Sequence, residues 1–580
     1  MIITKLLPVL LLAIPTLQST IPPTKSLEKR DEEPVAFPTI HATGTDGLVY
    51  HVDVNLGYKP QEISLRVDIA QPHIWVLDST FYPECPGGIY NSSAHCQISG
   101  AYNLSDSITG VVAQDPYVSY TFPDLVQING TIVQDNYIQL LNLSTEGYYY
   151  PDDEKDYRNA NYGTQHDNFN VSIPRFISVN SSNLRVGALG LAGPNTDDSY
   201  MGNDNILKLL SSAEFINSSS YSLYPQDEYN LDIILGGVNQ SLYFEPLVIF
   251  NKIPYLDRLS NSKRDTIRYN YPIIPLTNVL VNNAKGSTVS VVSSSSDPTN
   301  ATIIPVMLDT RATYTYLPYD VVIKLAIQLN AFYSSQSNSW FVKCSVGQLG
   351  ASLGFQFGNV TVNVPVSNFL AQVFQDVNET DPVLFDDGSD ACLLSIVPNT
   401  RFGYSIIGSN VLQAMYLAVD NTNDQVAIAQ ANNGIYSQLN NTYLLKDPIT
   451  TTAGSFSASV ILSDSGIPFV QGNNVSDIVT SVTFSSASLA TDGGSSYPAE
   501  ITAMYTSGRL HTGDPNAINS FFTSANVQNT GLLTNTASTK RTTDKFSAAG
   551  VALAVDGGNA GALMMGVVSG FVLMITGFVL

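Results

Sequence analysis

The chain has 580 residues, of which 44% are hydrophobic and only 13% charged, and it carries a net charge of -23 at pH 7. That length leaves room for two or more domains. So acidic a balance excludes nucleic acid and anionic membrane surfaces as partners, and the six scattered histidines and four cysteines show no metal-ligand spacing, so no cofactor is expected.

Residues 1–20, "MIITKLLPVLLLAIPTLQST", carry Lys5 and an apolar run over residues 6–17. The run is too short for a spanning helix of about 20 residues and has the form of a secretory signal peptide. Residues 21–30 end in "SLEKR", where Lys29-Arg30 is a dibasic processing site that closes a short propeptide, so the mature chain is expected to begin near Asp31.

Residues 31–437 form the expected globular head. "YHVDVNLG" and "EISLRVDIA" alternate apolar and polar residues, and "NLDIILGG" and "YLAVDNTNDQVAIAQ" are strands broken by Gly, Asn and Asp. Helical periodicity is confined to "DNILKLLSSAEF" and "LPYDVVIKLAIQLN". The pattern is that of an all-β protein with a few short helices. An even cysteine count in a secreted chain suggests two disulfides. Of three connectivities, the simplest is Cys85–Cys96 and Cys344–Cys392. Thirteen Asn-x-Ser/Thr sequons mark candidate glycosylation sites: Asn91, Asn103, Asn129, Asn142, Asn170, Asn180, Asn217, Asn239, Asn300, Asn359, Asn378, Asn440 and Asn474.

Residues 438–550 differ in composition. Of the 96 residues from 451 to 546, 31 are Ser or Thr, a content that buries no core easily and suits a disordered, O-glycosylated stalk. Residues 551–580 place small residues at Gly557, Gly558 and Asn559 before an apolar tail without a basic flank. That is the form of a glycolipid-anchor signal; "SAAG" at 547–550 is a second candidate attachment site. The rival, a transmembrane helix, ordinarily carries basic residues on its cytoplasmic side. The chain is thus expected as a monomer on the outer face of the plasma membrane and in the cell wall.

Two stretches of the head resemble each other: "ISLRVDIAQPHIWVL" (63–77) and "IPVMLDTRATYTYLP" (304–318). Each is an apolar strand, an aspartate, a short loop and a hydrophobic exit. With "VGALGLAGP" (186–194), "YSLYPQDEYNLDIILGGVNQSLY" (221–243), "WFVKC", "DACLLSI" and "IIGSNVLQAMYLAVDNTNDQVAIAQA" (406–431), they resemble the pepsin-like aspartic proteases (peptidase A1) over nearly the whole head. The processing site, stalk and tail make the chain similar to the fungal yapsins in particular, which also carry an acidic loop where this chain has residues 148–167. The resemblance implies a bilobal fold, with lobes at 31–250 and 251–437. It implies a dyad of Asp68 and Asp309 at a cleft for extended polypeptide, and Tyr120 as a substrate-binding residue of the flap.

In such a dyad two close carboxylates share one proton; one activates water while the other acts as acid. The family's Asp-Thr-Gly loops support that arrangement, and both are altered here. Asp68 is followed by Ile69, Ala70 and Gln71, and Asp309 by Thr310, Arg311 and Ala312. Arg311 either lies beside the carboxylates, favouring their charged forms, or turns to solvent. The flap tip is "TFPDLVQ", bulkier and stiffer than a Gly-rich one. Three readings follow: a pseudoprotease that binds extended polypeptide, which the altered loops favour; an active acid endopeptidase processing secreted or cell-wall proteins; and a structural cell-wall glycoprotein.

Overall fold

A computed structural model describes residues 38–433 apart from loops, the longest being 83–99, 145–169 and 293–302, and beyond them residues 459–461, 482–484, 501–513, 532–533 and 551–552. The segments expected as signal peptide, propeptide, acidic insertion and anchor tail, together with Cys85, Cys96, Asn91, Asn142, Asn300, Asn378, Asn440 and Asn474, lie outside the described residues.

The head is built from short strands, as the alternation predicts. β1 (Thr39–Thr45), β2 (Val49–Leu56) and β3 (Gln61–Asp68) form an antiparallel meander. They belong to one large sheet that also takes in β4 (Trp75–Leu77), β5 (Val111–Thr121) and β6 (Gln127–Gln134). The same sheet joins the two halves: Ser220–Pro225 pairs antiparallel with Met415–Asp420, and Tyr243–Asn251 with Gln425–Ala431. The expected division at 250/251 falls at the end of this joining strand. Both sequence-predicted helices form, as α1 (Ile206–Ser212) and α2 (Tyr319–Leu329). Asn205 caps α1 by accepting from the backbone N–H groups of Leu207 and Lys208. α2 starts after Pro318 and ends at Asn330 in the left-handed region. A further single turn, α3 (Ser409–Leu412), gave no periodic signal because it is too short.

The two aspartate loops sit in the same arrangement twice. β3 runs into Asp68 beside Ala188–Gly190, a parallel neighbour that also touches β4 antiparallel at Trp75. In the second lobe Ile304–Leu308 runs into Asp309 beside the parallel strand Ser405–Ile407, which touches Thr315–Leu317 antiparallel at Tyr316. A glycine closes the inserted strand in the first lobe, Gly190, and directly follows it in the second, Gly408. A Cβ on Gly190 would come within 2.6 Å of the Gln71 carbonyl, and one on Gly408 within 2.5 Å of the Ala312 carbonyl. Only glycine lets each aspartate loop close this tightly. Cys344 and Cys392 are bonded, with sulfurs 2.05 Å apart, across 48 residues of the second lobe.

Downstream of the head, inside the segment expected as a stalk, Ala503–Thr506 and Arg509–Thr512 form a hairpin. Ser507 and Gly508 at its turn both have positive φ (51° and 78°), the geometry of a type I′ turn. Arg509–Leu510 pairs in parallel with Leu384–Phe385 of the second lobe, and Ala503, Tyr505 and Leu510 are buried against Phe385 and its neighbours. Serine and threonine dominate the segment on average, yet "AMYTSGRLHT" alternates enough apolar residues to cover one sheet edge.

Candidate active site

Asp68 and Asp309 are both fully buried at the ends of their strands. Their loops are tied together through Thr310. Its hydroxyl donates to the carbonyl of Val67 at 2.8 Å and accepts from the backbone N–H of Ile69 at 3.4 Å. Ile69, at the matching place in the first loop, has no hydroxyl to return the contact and is buried as an apolar residue. The tie is one-sided.

Each aspartate still accepts a backbone hydrogen bond from the residue two further on. Ala70 N–H donates to Asp68 Oδ1 at 2.9 Å, and Arg311 N–H to Asp309 Oδ1 at 2.8 Å. The loss of the two glycines therefore does not remove this donor. The reason is conformational: neither Ala70 nor Arg311 is among the residues with positive φ, so a Cβ strains neither backbone. Gln71 is turned toward Trp75, whose indole N–H donates to its side-chain oxygen at 2.8 Å. Ser409, at the start of α3, donates its hydroxyl to the Thr310 carbonyl at 2.7 Å and fixes the second loop from below.

The outer oxygens lie among positive charge. Arg311 does not turn to solvent: it is 5% exposed, and its Nη2 lies 3.8 Å from Asp309 Oδ2. Asp68 has its own guanidinium. Arg66 is fully buried, with Nη2 3.6 Å from Asp68 Oδ2. Both contacts are ion pairs just beyond hydrogen-bonding distance, and each favours the ionised carboxylate. Around the first pair lie His51 and Tyr221. Burial, with help from Arg66, pushes the His51 imidazole down to about 3, so it is neutral. Burial, reinforced by the charge of Asp68, raises the Tyr221 phenol well above its usual value.

Sequence reasoning singled out Arg311 and missed Arg66. The signal was present. Side chains two apart on a strand share a face, so Arg66 on β3 had to lie on the face of Asp68.

The segment expected as the flap forms the β5–β6 hairpin, with Tyr120 paired to Ile128. Tyr120 stacks on Phe122 (centroids 5.8 Å apart, planes 16° apart) and packs on His73 at 5.1 Å. The hairpin is closed by Phe122 N–H donating to the Val126 carbonyl at 2.9 Å. Phe122 and Val126 are buried in the apolar cluster that holds Trp75 and Ile177. Near the tip the flap is thus packed onto the first lobe. Asn129 is exposed on β6. Among the other sequons, Asn217 and Asn359 are exposed, and Asn103, Asn180 and Asn239 half-buried. The side chains of Asn103 and Asn239 accept backbone N–H groups at the starts of short 3-10 turns. Asn170 lies in a two-residue strand.

A model of the eukaryotic aspartyl protease family matches residues 49–431. Aspartic proteinase yapsin-7 of Saccharomyces cerevisiae is 28% identical over 82% of this chain and 79% of its own length. Aspartic proteinase 3 of the same yeast is 25% identical over 80% and 82%. Secreted aspartic protease 7 of Candida albicans is 24% identical over 66% and 60%.

Proposed function

The chain belongs to the eukaryotic aspartyl proteases, and from that premise we propose that it is a cell-surface, yapsin-like member with impaired or absent proteolysis that binds extended polypeptide in its inter-lobe cleft. The observation that carries this reading is the guanidinium beside each buried carboxylate, Arg66 at Asp68 and Arg311 at Asp309. A general acid in the dyad needs one proton held between two carboxylates. Two guanidiniums balance both negative charges and remove the electrostatic reason for that proton. The packed flap adds a second obstacle, because Phe122 and Val126 are tied into the first lobe.

The processing site, the Ser/Thr-rich segment and the apolar tail support export and a glycolipid anchor with attachment at Gly557, Gly558 or Asn559. Asp68 and Asp309 are the residues proposed at the reacting position, and Tyr120 the one proposed to close over a bound peptide. The test is calorimetric binding of extended peptides to the full-length protein at pH 4 and pH 7, with the peptides then recovered and sized. Peptides that bind and return intact fit the reading; no binding at either pH contradicts it. The second reading, an active acid endopeptidase, is favoured by the surviving backbone donors to both inner oxygens and by the Thr310 tie. Peptides returned cut would establish it.

A further inference from the structure

The two aspartate strands share one hydrogen-bond register, so each lobe serves as a control for the other. In the second lobe the residue two before the aspartate is Met307, and across the ladder from it stands Ile406. In the first lobe that place is taken by Arg66, and across from it stands Ala188. A buried guanidinium thus replaces a thioether, and a methyl replaces a branched side chain at the neighbour that would crowd it. On its other side Arg66 faces His51, which is held neutral and brings no negative charge. The first lobe therefore provides both space and a counter-charge for a fully buried arginine. On the same strand face that counter-charge is Asp68, with Nη2 and Oδ2 3.6 Å apart.

We propose that Asp68 serves in this chain as the structural counter-ion of Arg66, and that Arg66, by holding it ionised, takes it out of proton sharing with Asp309. Arg66 is then a positioning residue that acts through the carboxylate. A buried charge left without its partner is far more costly than a buried pair. The usual test substitution, Asp68→Asn, accordingly removes more than a reacting group: it takes away the carboxylate that the buried guanidinium faces.

The proposal rests on the pseudoprotease reading, and its test reads stability: cleavage of peptides by the unmodified protein at ordinary rates overturns that reading and the withdrawal of Asp68 from proton sharing, while the counter-ion role stands or falls on the unfolding measurement. The experiment is a urea-unfolding cycle on the full-length secreted protein at pH 7, comparing Asp68→Asn in the unmodified, Arg66→Met and Arg66→Lys backgrounds. The expected result is that Asp68→Asn raises the unfolding equilibrium constant roughly a hundredfold or more in the unmodified protein. The penalty should be less than about tenfold with Arg66→Met and largely restored with Arg66→Lys. A packing role alone does not follow the charge in this way. Equal penalties in the methionine and arginine backgrounds, or a harmless Asp68→Asn in the unmodified protein, overturn the proposal. If Asp68→Asn alone is not secreted, the double variant decides: its secretion supports the pairing, and its failure while Arg66→Met alone is secreted contradicts it.

Discussion

The hydroxyl of Thr310 donates to the carbonyl of Val67 at 2.8 Å, joining residues 243 positions apart and fastening one aspartate loop to the other. Because Ile69 offers no hydroxyl in return, the hydroxyl tie from one aspartate loop to the other comes from the Thr310 side. Thr310→Val leaves a buried carbonyl and a buried N–H without that partner, at about 1–3 kcal/mol each way of counting. The urea midpoint of the full-length protein is expected to fall accordingly, and Ser at the same place should recover most of it. An unchanged midpoint would show that the loops are held by other contacts.

Acid should destabilise this protein, although its relatives are named as aspartic proteinases. His51 is neutral in the fold, with its imidazole pushed down to about 3 from an unfolded value of 6.5. Between those values the unfolded chain binds a proton that the folded chain does not. Stability from this group is therefore complete above pH 6.5 and falls as the pH drops toward 3, by up to about 1.4 kcal/mol per unit. Thermal melts at pH 7, 5 and 4 should show the decline, and His51→Phe should flatten it. A melt that keeps the same slope after the substitution would assign the acid sensitivity elsewhere.

The hairpin Ala503–Thr512 is expected to be a working part of the second lobe. Leu510 is fully buried beside Phe385, and Leu510→Ala should cost about 2–5 kcal/mol. A chain ending at residue 437 should melt lower than one ending at residue 513. Equal melting of the two would mean that the hairpin contributes nothing to the fold.

The repeated aspartate strands, the two longer helices and the all-β architecture were legible in the sequence because each depends on local alternation or periodicity. The hairpin was not, because serine and threonine averaged over 96 residues hid the ten that alternate. The persistence of the backbone donors at Ala70 and Arg311 was also hidden. It depends on φ, which composition does not report: glycine is often used at such a turn without being required by it. Arg66 was legible in principle from its place on β3. Its meaning needed the register, which sets Ala188 opposite it where the second lobe has Ile406.

Anchorage is testable without purification. Phosphatidylinositol-specific phospholipase is expected to release the protein from intact cells. Recovery of the peptide "MITGFVL" from the mature protein would instead show that the tail is retained.

Repair of the loops gives a graded expectation. Ile69→Thr, Ala70→Gly, Arg311→Gly and Ala312→Thr together should raise acid-pH cleavage by tenfold or more, since one preorganised donor alone is worth roughly 10²–10³ in rate and such effects are not additive. Because Arg66 remains beside Asp68 in that variant, adding Arg66→Met should raise it again. A repaired protein that stays inert would point to the flap, where Phe122 is buried against the first lobe, and a Gly-rich tip would be the next replacement.

The most direct test of the central claim is the rate at which the unmodified full-length protein cleaves peptides at acid pH, measured beside the same chain carrying Arg66→Met and Arg311→Gly. With a guanidinium at each carboxylate, the unmodified protein is expected to cleave far below the 1–10³ s⁻¹ of ordinary enzymes, and the variant faster. Cleavage by the unmodified protein within that range, abolished by Asp309→Asn and not increased by removing the two arginines, would contradict the account.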